Sequence, residues 1–360
     1  MNDPLVTLLL PNYNNDTVLD MFFTKLLKNT RYENYELIVV DDGSTDRSLE
    51  ILKRWEKSGQ IQLRNMRVVE NEHHGVPRTL NDGLKLAKGE YICRLDGDAT
   101  VETPGWLQKI TDFTKTDTRI GMVVAKILYP GGRLHSAGRK IICPEGLHNR
   151  GEAIAEQIGA RTLDCNITRV RNTKQFDHIS EVDTALGCCT LFTRDIADRI
   201  GEFDENFTPV WIEDDDFGLS VRKHNKKVFY FPGVTVVHHI YSRLPRNITK
   251  KSFQFQIASR LLPKIPPQAR EFVIFLMKVM GQRKTTGQSQ WRINVLQHHY
   301  KYWEEKWGFS PLNPDIEEIK SKWGHTEICW SFVPSMKRQG EEIIRDYLAR
   351  NSQASRLAKS

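Results

Sequence analysis

The first hundred residues alternate between two patterns, and that alternation restricts the fold more than any other feature of the chain. Short apolar runs at Leu5–Leu10, Glu36–Val40, Met66–Val69 and Glu90–Leu95 read as strands, and Val18–Leu27, Thr45–Lys57 and Val76–Ala87 carry helical spacing. Strands separated by helical stretches of about 10–15 residues make βαβ units and a parallel sheet. Ligands of such sheets bind outside the carboxyl ends of the strands, and the polar clusters Asn12–Asn14, Asp41–Ser44 and Asp96–Asp98 all fall there. The second helix is expected to start near Thr45, with Ser44 or Thr45 as its N-cap.

Further along, Gly121–Leu128 reads as a strand, and Asp183–Thr193 as a buried segment leading into a helix near Asp195. Leu219–Lys223 is helical after the acidic stretch Trp211–Phe217, and Val228–Val237 is a strand broken at Pro232-Gly233 that stops at His238-His239. Beyond Leu244 the composition turns basic, aromatic and helical, with Pro263, Pro266 and Pro267 as punctuation. The expected organisation is therefore an α/β domain over 1–245, a basic helical region over 246–350 and a frayed tail over 351–360.

Charge is concentrated in that second region. Between Arg243 and Lys284 ten basic residues face Glu271 alone, more than the whole chain's net +7, so the remainder is near neutral. A solvated helical face and a surface for anionic lipid, phosphate or nucleic acid both fit. Apolar stripes at Phe253, Ile257, Leu261 and at Phe272, Phe275, Leu276, Val279 fit packing on the parent domain, peripheral membrane contact or a homo-oligomer interface. No apolar run approaches the roughly 18–20 residues that span a bilayer, and MNDPLVTLLLP lacks the basic start of a signal peptide. A cytoplasmic protein is expected, peripheral at the inner face of the membrane if the basic region docks there. The six cysteines form no C-x-x-C pair and read as buried thiols.

Three acidic clusters carry the candidate chemistry. Asp96-Gly97-Asp98 sets two carboxylates two positions apart at a strand end, an arrangement that holds Mg²⁺ or Mn²⁺ together with substrate phosphates, and that also suits a solvated turn. A carboxylate of Asp41-Asp42 could accept the imide N–H of uracil or thymine, although an Asx turn with a helix cap uses the same residues. Glu213-Asp214-Asp215-Asp216 crowds four like charges, which raises their pKa values and suits a general base. The same run suits a helix N-terminus, where carboxylates meet a favourable macrodipole. His238-His239 offers an imidazole to a metal or to the core. The first strand–helix turn, Pro11-Asn12-Tyr13-Asn14-Asn15, contains no glycine, which excludes a dinucleotide-binding fold and argues against a sugar nucleotidylyltransferase.

Taken in order, LLLPNYNN, IVVDDGSTDRS, LNDGLKLAKGEYICRLDGD, AKILYPGGRLHSAGR, GEFDENF and WIEDDDFGLSVRKHNKKVFYFPGVTVVHH resemble a family-2 glycosyltransferase of the GT-A fold, over roughly residues 4–245. The resemblance implies a mixed, mainly parallel sheet flanked by helices and a metal-dependent, inverting transfer from a nucleoside-diphosphate sugar, UDP- or dTDP-linked, to an acceptor hydroxyl. It puts Pro11, Tyr13 and Asp42 around the donor's base and ribose. Asp98 and His238 fall on the metal, Mn²⁺ or Mg²⁺, with Asp96 nearer the ribose and the metal's water shell and His239 an alternative to His238. Asp214 becomes the base, and Glu213 and Asp216 line the acceptor pocket. Leu80-Asn81 stands where many relatives have Arg-Asn, and D-x-D-D is shortened to Asp96-Gly97-Asp98-Ala99. The acceptor is a glycan, a lipid-linked saccharide or another anionic molecule, with a protein, a modified nucleic acid or an inactive sugar-binding module as the rival readings.

Overall fold

The computed structural model describes residues 3–139, 171–239, 286–309 and 334–357. The apolar stripes from Phe253 to Val279, the basic run Arg243–Lys284, and Cys143, Cys165 and Cys329 lie outside the described residues. Cys93, Cys188 and Cys189 are buried free thiols.

The chain opens as β1 (Val6–Asn12), α1 (Leu19–Asn29), β2 (Tyr35–Asp42), α2 (Ser48–Glu56), β3 (Met66–Asn71), α3 (Val76–Leu86) and β4 (Tyr91–Leu95). β1 pairs in parallel with β2 and β4, and β2 with β3. These strands are apolar on both faces because helices cover both; Leu8, Leu9 and Leu10 are all fully buried. The helix after β2 starts at Ser48, not near Thr45, and neither Ser44 nor Thr45 caps it. Asp41 holds Ser44 in an Asx turn through its backbone N–H at 3.0 Å and its hydroxyl at 2.7 Å, and the Asp46 carboxylate takes the Ser48 N–H at 2.8 Å.

The sheet continues through β5 (Ala99–Val101), β6 (Ile120–Leu128), β7 (Leu134–Ser136), β8 (Ser180–Val182), β9 (Cys189–Thr193) and β10 (Lys227–His238), with α4 (Trp106–Thr114), α5 (Arg194–Ile200) and α6 (Glu213–Lys223) between them. Its order is β3-β2-β1-β4-β9-β6-β10-β5, with β7 on β6 and β8 on β10. β9 enters antiparallel between β4 and β6, and β6 pairs in parallel with β10. The sheet is thus mixed, with its longest registers parallel. Pro232-Gly233 does not break β10; the strand absorbs it as a register shift between Phe231 and Thr235, as a bulge does. Thr193 caps α5 by accepting the Ile196 N–H. α6 begins at Glu213, so the acidic run forms its first turn.

Two helices follow, α7 (Thr286–Trp307) and α8 (Pro334–Leu357). α8 sets Tyr347 against Phe113, with ring centroids 4.9 Å apart, and buries Ile343 in the main core. α7 buries Trp303 and Trp307.

Candidate active site

Because β2, β1 and β4 are adjacent and parallel, their ends share one edge of the sheet, as the sequence pattern requires. The Pro11 carbonyl accepts the Gly97 N–H at 3.3 Å, and a Cβ on Gly97 would stand 2.7 Å from Asn12 Oδ1. The first turn is thereby packed on the Asp96–Asp98 loop.

β10 brings His238 to that loop by pairing antiparallel with β5, His238 opposite Ala99. One ligand atom from each of Asp96, Asp98 and His238 lies within 4.8 Å of the others. His238 Nε2 is 3.2 Å from Asp98 Oδ1, and Asp98 is 1% exposed. Burial works against charge on His238, but Cys188 and Asp98 beside it prevail and hold its pKa well above the ordinary imidazole value. His239 turns elsewhere, with Nε2 3.1 Å from Thr100 Oγ1. Two carboxylates and an imidazole converging on one point form an oxygen-rich donor set that fits Mn²⁺ or Mg²⁺.

Arg94, two residues before Asp96 on β4, is a group that motif reading missed. Its side chain is 5% exposed; Nε donates to Asp96 Oδ1 at 2.9 Å, and Nη1 to Glu213 Oε1 at 3.2 Å. Burial opposes its charge, while Asp96 and Glu213 raise its pKa. A Cβ on Gly187 would meet the guanidinium at 2.4 Å, so the glycine makes room for it. A lone arginine in the apolar run YICRL was the available signal, since a buried cation requires anionic partners.

α6 presents the four acids unequally. Trp211 and Ile212 precede it at φ 78° and 73°, a costly conformation for a β-branched residue and one that collects at functional sites. Glu213 is buried, and among the described residues its Oε2 has no hydrogen-bond partner. Burial, then the neighbouring Asp214, raise its pKa to about 7. Asp214 Oδ2 accepts the Gly187 N–H at 2.9 Å, and Oδ1 faces Arg139 Nη1 at 3.3 Å. Asp215 is tied to Arg139 at 2.8 Å and to the Thr184 hydroxyl at 2.7 Å. Asp216 is bound by α7: Lys306 Nζ and Trp307 Nε1 each reach its carboxylate at 2.8 Å. The structure thus joins Asp96, Asp98, His238, Arg94 and Glu213 in one connected cluster with Asp214 beside it, and commits Asp215 and Asp216 to neighbouring elements.

At the other end of the edge, Tyr13 stacks on His73 with ring centroids 4.2 Å apart, and Asp42 bonds the segment from His73 to Gly75. Arg78 pairs with Glu205 at 3.2 Å. His135, from the GGRLHSAGR stretch, sets its Nδ1 3.3 Å from His238 Nδ1 and stacks on Tyr129.

The family model "Glycosyl transferase family 2" matches residues 7–201, just over half of the chain. "Uncharacterized protein y4gI" of Sinorhizobium fredii is 29% identical over 241 residues, which cover 66% of this chain and 24% of that protein. The "Uncharacterized glycosyltransferase EpsJ" of Bacillus subtilis is 33% identical over 227 residues, 62% of this chain and 58% of that protein. The chain therefore spans less than two thirds of either relative's length. Among solved structures, a mannosyltransferase from Pyrobaculum calidifontis, in complex with GDP-Man and Mn²⁺, aligns with a TM-score of 0.45 at 18% identity, covering 72% of this chain and 61% of that one. On the extent of the family match, the chain belongs to glycosyl transferase family 2.

Proposed function

We propose that this glycosyltransferase moves a sugar from a UDP- or dTDP-sugar to an acceptor hydroxyl in one inverting displacement that depends on a divalent metal. The observation that carries the reading is the convergence of Asp96, Asp98 and His238 on the sheet edge beside the acidic turn of α6. Mn²⁺ or Mg²⁺ held there would neutralise charge developing on the departing diphosphate. Pro11, Tyr13 and Asp42 bound the base and ribose end of the donor. Asp214 takes the acceptor proton as the hydroxyl attacks the anomeric carbon from the face opposite the diphosphate. Arg94 holds the carboxylates of Asp96 and Glu213 in place. Asp216 acts on the acceptor pocket through α7, and the transferase unit covers 1–245 with the region 246–350 completing it.

A second assignment of the base has a specific observation behind it. Glu213 has its pKa raised to about 7, the range that suits a general base, and among the described residues its Oε2 has no hydrogen-bond partner. Asp214 is preferred because its carboxylate is the more exposed of the two, at 10% against 4%. The ten basic residues between Arg243 and Lys284 favour an anionic acceptor such as a lipid-linked saccharide. Nucleoside diphosphate release from a panel of UDP-, dTDP- and GDP-sugars tests the reading and separates an enzyme from an inactive binding module. Asp214→Asn is expected to slow the chemical step by about 10²–10⁴ with donor binding little changed. A larger loss in Glu213→Gln, with Asp214→Asn near wild type, would transfer the role to Glu213.

A further inference from the structure

Where β6 and β7 pair, β7 carries one residue more than its partner. Ile127 pairs with Ser136 and Leu128 with Leu134, so consecutive residues of β6 skip His135. Such a bulge bends the strand and re-aims the side chain of the extra residue, and bulges gather beside active sites. Leu134 and Ser136 are fully buried, while His135 is half-buried and reaches His238. The turn before it is tight: the Tyr129 N–H donates to the Arg133 carbonyl at 2.8 Å, and Gly131 and Gly132 take φ 94° and 82°. That turn brings Tyr129 back against His135, with ring centroids 4.2 Å apart.

The Nδ1 atoms of His135 and His238 are 3.3 Å apart, with the two ring planes inclined by 24°. Two imidazole nitrogens in contact need one to donate and the other to accept, and the direction is set by the far side of His238. There Nε2 lies 3.2 Å from Asp98 Oδ1, where Asp96, Asp98 and His238 converge. For Nε2 to offer a lone pair at that point, the ring proton must sit on Nδ1. The atom facing that proton is His135 Nδ1. The Cys188 thiol also touches His238, but sulfur is a weak acceptor.

Resting on the metal-dependent reading above, we propose that His135 is a positioning residue: its Nδ1 accepts the His238 Nδ1–H and so fixes the tautomer and ring direction in which Nε2 faces the metal site. Tyr129 in turn fixes the plane of His135, and the bulge is what aims it. Metal-bound histidines commonly donate their second ring N–H to a polar group, and loss of that partner costs about 10–100-fold in metal affinity. Titration of the full chain with Mn²⁺ alone, followed by the electron paramagnetic resonance of the free ion, reads that affinity without turnover. His135→Phe keeps a ring on Tyr129 but removes the acceptor, and is expected to weaken Mn²⁺ binding by about tenfold or more; His135→Ala replaces it should it misfold. His135→Asn sets an amide oxygen near the place of Nδ1 and is expected to bring binding back close to wild type, a rescue that a packing role would not give. Thermal unfolding verifies that each variant folds. Unchanged affinity in the folded variant without an acceptor, or an equal loss in His135→Asn, would overturn the role of His135. Wild-type Mn²⁺ binding that Asp98→Asn leaves unchanged would be a different failure, removing the metal site itself and this proposal with it.

Discussion

Arg94 shows how one residue shapes this site. A guanidinium at the end of an apolar strand is costly to bury unless anions meet it, and it meets two, Asp96 from the following turn and Glu213 from α6. Glu213 remains hard to ionise, because burial and Asp214 outweigh Arg94 and leave its pKa near 7. The consequence for stability has a definite sign. An unfolded glutamate ionises near pH 4.5, so between there and about pH 7 the folded state holds the extra proton, and stability falls as pH rises through that window. Urea unfolding across pH 4–8 is expected to show this decline in wild type and a flatter profile in Glu213→Gln. Equal slopes in the two proteins would mean that Glu213 ionises freely in the folded state.

At the scale of elements, α7 and α6 act together. Lys306 bridges Asp216 and Asp204, at 2.8 and 2.7 Å, and Trp307 adds a donor to Asp216, so the end of α7 fixes the helix that carries Glu213 and Asp214. Lys306→Met leaves two carboxylates without their shared cation, and is expected to cost about 3 kcal/mol of stability and to lower turnover more than donor affinity. Thermal unfolding and steady-state kinetics check both; an unchanged melting temperature would show that α7 is not coupled to the site. The strand ends, the acidic stretch that opens α6 and the place of His238 at a strand end were legible in the sequence, because apolar periodicity and the position of a strand's end are local properties. The antiparallel entry of β9 was not, since pairing direction depends on how a long connection returns. Nor was the α7 contact, because Lys306 and Asp216 are ninety residues apart and no local pattern links them. The cap expected at Ser44 failed for a physical reason: the Ser44 oxygen accepts the Asn14 N–H at 2.9 Å, and the helix starts only at Ser48.

Across the whole molecule, the sheet order gathers the ends of β2, β1 and β4 into one edge and returns β10 to it with His238. No helix among the described residues is long and apolar enough to cross a membrane. The basic excess of Arg243–Lys284 is the chain's largest charge asymmetry, and each basic residue near an anionic surface adds about 1 kcal/mol of attraction. Flotation with anionic vesicles is therefore expected to capture the protein at low salt and release it at high salt; absence of binding at low salt would return the segment to packing or self-association.

Nucleotide binding tests the proposed metal-linked donor site without knowledge of the acceptor. UDP is titrated into wild type and Asp98→Asn, each in Mn²⁺ and in chelator, with thermal unfolding to verify that the variant folds. Wild type is expected to bind UDP tightly only in Mn²⁺, and folded Asp98→Asn to show no difference between Mn²⁺ and chelator. Wild-type binding that chelator leaves unchanged, or a variant that keeps its dependence on Mn²⁺, would contradict it.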